Sequence, residues 1–171
     1  LLFFLIKNPS FQQGDEEIPQ AYIDSCVRGF TEEAISILSE QGGDLVPEGS
    51  AMFKGENITY LCYNANYYKP CINQRPKLIE HIEDEITNYI ELKVNGCFNL
   101  LKSKLEDKNY EIKMGDMDLT TELRPKQVIV NINKDFAMTK GEKTRSFDNF
   151  KVIVANPIYE FAEIAMEIAN Q

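Results

Sequence analysis

The stretch YEIKMGDMDLTTELR, residues 110–124, decides the fold class. Tyr110, Ile112 and Met114 alternate with Glu111 and Lys113, and Met117, Leu119, Thr121 and Leu123 alternate with Asp118, Thr120 and Glu122. A period of two marks strands with one buried and one wet face. Gly115-Asp116 and Arg124-Pro125 read as turns, Asn133-Lys134 as a break, and Lys140-Gly141-Glu142 as the last turn before residues 147–154. Connections this short join antiparallel neighbours, so the expectation is a β-meander of about five strands.

On both sides of this stretch the period becomes helical. Residues 19–41 place Ile23, Val27, Phe30, Ala34 and Ile37 on one stripe, with Pro19 suited to the first turn and Gly42-Gly43 to the stop. Residues 77–105 carry Ile79, Ile82, Ile86, Tyr89, Ile90, Cys97 and Leu101 at helical spacing, and Gly96 reads as a point of close backbone approach. Asn156-Pro157 opens a final helix with Ile158, Phe161, Ile164, Ala165 and Ile168 on one side. Between the first two helices, residues 51–63 read as a short hairpin turning at Lys54-Gly55-Glu56, and residues 62–71 as an irregular excursion. The fold class is therefore α+β: N-terminal helix, short hairpin, long helix, antiparallel β-meander, C-terminal helix, with helices covering the sheet. Residues 19–171 form a single domain without internal repeats.

The chain has 171 residues and a formal charge of -9, which argues against a nucleic-acid footprint, since that needs clustered Lys/Arg. No phosphate loop, nucleophile elbow, C-x-x-C pair or H-E-x-x-H motif occurs. The single histidine, His81, reads as a solvated helix residue. Glu80, Glu83, Asp84 and Glu85 around it read as an acidic first turn that complements the helix dipole. Asp116 and Asp118 fit ordinary polar alternation on a strand. The expectation is a protein that is not an enzyme and holds no cofactor or metal.

Four cysteines, at 26, 62, 71 and 97, allow three pairings. Cys26 lies beside the apolar stripe of the first helix and Cys97 on that of the second, which favours Cys26–Cys97; nearness in the chain favours Cys62–Cys71. The rivals are free thiols and a four-thiolate zinc site, whose ligands usually come in closer pairs. Disulfides imply an oxidising, extracytoplasmic compartment. There the sequon Asn57-Ile58-Thr59 makes Asn57 a glycosylation candidate, whereas Asn8-Pro9-Ser10 is excluded by its proline.

Residues 1–6, LLFFLI, are wholly apolar but far short of the roughly 20 residues that span a bilayer. They read as the end of a longer hydrophobic anchor helix, followed by a polar tether, so that residues 1–18 are anchor end and tether. The rivals are a buried N-terminal strand and a strand donated to a neighbouring subunit. The partners this implies are a membrane, or further copies of the chain in a homo-oligomer or filament built through the N-terminal segment. Four tyrosines, Tyr60, Tyr63, Tyr67 and Tyr68, fall within nine residues and are the binding candidates, because rigid phenol rings give contact area at low entropic cost. For Tyr60 and Tyr63 the rival reading is packing beneath the loop.

The helix with Q-A-Y-I-D-S-C (20–26), the Gln41-Gly42-Gly43 break, Tyr60-Leu61-Cys62-Tyr63, the helix reaching Cys97 and the finish over 126–171 resemble a group of uncharacterised proteins of small-genome archaea. The resemblance implies a single-span, extracytoplasmic protein with a pilin-like signal before one hydrophobic helix, and it supplies no catalytic residues. The expected function is a non-catalytic, disulfide-stapled cell-surface protein, membrane-tethered or assembled into a pilus-like filament. The alternative is a module that binds a peptide or glycan through loop 60–71.

Overall fold

The computed structural model describes residues 19–170. Helix α1 (Pro19–Gln41) leads into a hairpin of β1 (Ser50–Phe53) and β2 (Glu56–Thr59), then a two-residue ladder of β3 (Cys62–Tyr63) and β4 (Ile72–Asn73). Helix α2 (Leu78–Glu106) follows, then β5 (Glu111–Arg124), β6 (Gln127–Lys140), β7 (Lys143–Ala155) and α3 (Ile158–Ala169). The architecture is α+β, with α1 and α2 packed on one face of the antiparallel sheet β5-β6-β7. Among the described residues no helix is long and apolar enough to cross a membrane.

The large sheet has three strands, not about five. Gly115-Asp116 does not reverse the chain; it is a bulge between the Met114–Phe136 and Met117–Lys134 pairs of one long strand. A Cβ on Gly115 would lie 3.1 Å from Asp135 Cβ, so glycine serves a close strand approach there. Asn133-Lys134 is likewise a register shift inside β6. The remaining strands are the two small hairpins, with Cys62 and Tyr63 paired to Asn73 and Ile72 at the neck of the predicted excursion.

The core lies between the helices and the inner sheet face. Val128, Val130, Ile132, Phe136 and Met138 of β6 share one buried cluster with Ile86, Ile90, Val94, Phe98 and Leu101 of α2. Phe98 meets Phe150 edge-on, with ring centroids 5.0 Å apart, a favoured aromatic geometry. Helix α1 buries Ile23, Val27, Ala34, Ile35 and Leu38, close to its expected stripe. Gly96 is not a contact point: a Cβ there would meet nothing within 4 Å.

Both edges of the sheet receive side chains from the helices. Arg28 Nη1 donates to the Ile153 carbonyl (2.9 Å) and Gln20 Nε2 to that of Lys151 (3.2 Å) on β7. On β5, the Leu123 N–H donates to Glu83 Oε1 at 2.7 Å. Backbone groups that would otherwise face outward along these stretches are thereby satisfied.

Candidate functional site

Helix α1 stops where Gly42 (φ 77°) and Gly43 (φ 97°) take left-handed conformations. Gly43 N–H donates to the Leu38 carbonyl at 2.8 Å, a six-to-one closure typical of helix C-termini. A side chain would be crowded as well as strained: a Cβ on Gly42 would approach Thr59 O to 3.1 Å, and one on Gly43 would approach Leu78 Cδ1 to 3.2 Å.

The next residue, Asp44, is only 3 % exposed. Its carboxylate accepts from Arg75 Nη2 at 3.2 Å and pairs with His81 Nε2. Burial pushes the Asp44 carboxyl up, but the adjoining Thr59 hydroxyl, His81 and Arg75 outweigh it and hold the carboxyl below its usual value. Leu45 N–H donates to Glu85 Oε2 at 2.7 Å. His81 is thus half-buried against a carboxylate rather than solvated. Glu83 and Glu85 hold backbone N–H groups, while Glu80 pairs with exposed Lys77. The signal that points to this cluster is an aspartate placed directly after a Gly-Gly helix stop, where a short loop must fold back on the body.

Gly42 and Gly43 also border an apolar cleft of about 260 Å³ between the end of α1, the start of α2 and α3. Leu38, Leu61, Leu78, Ile82, Phe161 and Ala165 line it. Helix α3 buries Ile158, Ala162 and Ala169, and leaves Phe161, Ile164 and Ile168 at 59 %, 55 % and 66 % exposure. Most of the stripe expected to cover the sheet therefore faces outward, continuous with the cleft through Phe161. Among the described residues this ridge has no covering element, and runs of exposed apolar side chains mark interaction sites.

The tyrosines stand beside the cleft rather than in it. Tyr60, Tyr63, Tyr67 and Tyr68 are all exposed, Tyr67 completely, so none packs beneath the loop. Asn73 Nδ2 donates to Asn170 Oδ1 at 2.9 Å, which ties the β3–β4 ladder to the end of α3. The concave surface is lined mainly by aliphatic side chains with Phe161 at its side, and the four tyrosines lie outside it.

All four cysteines are disulfide-bonded, Cys26 to Cys97 and Cys62 to Cys71, with Cα–Cα distances of 6.3 and 5.6 Å. The first joins α1 to α2; the second closes the tyrosine loop. Among the described residues no group of three or more His, Cys, Asp and Glu is placed to hold a metal ion. Asp116 and Asp118 do not act together: Asp116 lines a hollow with Lys134 beneath α2, and Asp118 a groove with Asn131 and Asn149. Asn57 is exposed on β2, whereas Thr59, the third sequon residue, is buried beside Asp44. The apolar segment 1–6 and the tether to residue 18 lie outside the described residues. In comparisons with protein-family models, curated proteins and solved structures, nothing matches this chain.

Proposed function

We propose that this chain is a non-catalytic, extracytoplasmic surface domain, tethered to a membrane or assembled into a filament through its apolar N-terminal segment. The observation that carries the reading is the Cys26–Cys97 disulfide, which staples the two principal helices. A disulfide built into the core belongs to an oxidising compartment. The resemblance to single-span archaeal surface proteins and the apolar run at residues 1–6 support the anchor, and the α3 ridge supplies a contact surface on the domain itself.

Labelling intact cells with a membrane-impermeant amine reagent, followed by non-reducing peptide mapping, tests the placement. Labelled protein with both cystine peptides is the expected result. Four alkylatable thiols in unlabelled protein would overturn it.

The exposure of Tyr67 and Tyr68 favours one further reading, a module that holds a peptide or glycan on the clamped loop. A glycan and peptide array probed with the wild type and with Tyr67→Ala/Tyr68→Ala discriminates: binding lost in the double variant supports the module, and equal binding removes the loop from consideration.

A further inference from the structure

Lys134 is a charged residue in a core position. It follows Ile132 and precedes Phe136 on the inward-facing side of β6, and it is only 5 % exposed. Its ammonium donates to the Gly115 carbonyl at 2.7 Å and lies 5.5 Å from the Phe98 ring centroid. Among the described residues no carboxylate forms an ion pair with it. An ammonium carries three N–H donors, and one is used here. A buried charge with open donors is costly unless something answers it.

The backbone is bent at the same place. The register shifts of the β5–β6 and β6–β7 ladders both fall at Lys134 and its neighbours. Bulges of this kind re-aim side chains beside binding sites. A cavity of about 470 Å³, open to solvent, lies there, walled by Lys134, Asp116 and the Gly115 backbone from the sheet and by Glu91 and Asn95 from α2, with Leu92 and Met117 as its apolar sides. None of these residues lines the apolar cleft.

Charge selects the class of occupant. The fixed ammonium repels a metal ion. A simple anion would meet Glu91 and Asp116 in a chain of net charge -9. A molecule with both signs satisfies both walls, its carboxylate taking the open Lys134 donors and its ammonium facing Glu91 and Asp116. We propose that this cavity binds a small zwitterion, a free α-amino acid or an amino-carboxylate of similar size.

Titrating the full chain with glycine, alanine and glutamine, and separately with acetate and methylamine at matched ionic strength, tests this. The readout is the amide NMR signals of Gly115 and Asp116. Saturable shifts are expected with an amino acid, with each half-ligand weaker by about tenfold, the scale of one charged hydrogen bond. Asn95→Phe should block binding by filling the cavity, and Asp116→Asn should weaken it; both side chains are exposed, so the fold should survive. Lys134→Met should abolish it, and if that variant does not fold the other two decide. No saturable shift with any amino acid, acetate binding as well as an amino acid, or unchanged binding in Asn95→Phe would each overturn the proposal.

Discussion

The Asp44 carboxylate meets the His81 imidazole across 37 residues of chain, joining the loop that ends α1 to the first turns of α2. With Arg75 on the same carboxylate, this pairing holds the loop after Gly43 against the start of α2. Asp44→Ala leaves Arg75 and His81 facing each other without their shared acceptor. Because Arg75 and His81 keep partial access to water, the loss is expected to be about 1–3 kcal/mol, below that of a fully buried pair, read as a lower urea midpoint at pH 7.

The same carboxylate makes stability depend on acid. Its folded pKa is lowered, so its contribution is complete above the ordinary carboxylate value of about 4. It disappears as the pH falls through the lowered value. Urea midpoints measured downward from neutral pH should fall more steeply below about pH 4 in the wild type than in Asp44→Asn. Equal slopes would assign the acid loss to other carboxylates.

The two disulfides are unequal. Chain entropy assigns about 4.4 kcal/mol to the Cys26–Cys97 loop and about 2.6 kcal/mol to the Cys62–Cys71 loop. Cys26→Ala/Cys97→Ala should therefore lower the unfolding midpoint more than Cys62→Ser/Cys71→Ser. The second pair should instead raise proteolytic cleavage within loop 62–71, seen by limited digestion. The reverse order would place the main constraint in the loop.

Helix α3 offers a direct check of which face is buried. Phe161→Ser or Ile164→Ser should change stability by no more than about 0.5–1 kcal/mol, because these side chains are largely solvated. Ala162→Asp, at a buried position, should cost about 3 kcal/mol or more. If the ridge is a contact surface, Ile164→Ser also abolishes association at unchanged stability, measured by analytical ultracentrifugation.

Two glycines should respond with opposite signs. Gly115→Ala forces Asp135 to shift and is expected to destabilise by about 1–2 kcal/mol. Gly96→Ala has open space and a helical backbone, and is expected to stabilise by about 0.5–1 kcal/mol. Thermal melts of the two variants under identical conditions decide it.

Periodicity carried the helices because their apolar stripes are long: residues 19–41 match α1, and 77–105 lies within one residue of α2 at each end. The strand count failed at Gly115-Asp116 and Asn133-Lys134, where the residue types of a turn sit inside a bulge. Local composition cannot separate the two, because only the partner strand shows that the chain does not reverse. The α3 stripe was legible as apolar, but an amphipathic helix does not announce which neighbour it lacks. The aspartate after Gly42-Gly43 marks one partner of the Asp44–His81 pair, but the two are 37 residues apart and no spacing rule names the other. Cys26 and Cys97 were within reach because each sits on or beside a helical stripe that had to find the other.

The helix side chains laid along the sheet margins also constrain how copies of this domain can meet. A foreign strand adding beside Ile153 would have to displace the Arg28 guanidinium from its carbonyl, and one adding at Leu123 would have to evict Glu83. Main-chain ladder growth is disfavoured at both positions. Any polymer of this protein therefore has reason to grow through side-chain surfaces, which mutation can tune one residue at a time, rather than through a continuous intermolecular sheet.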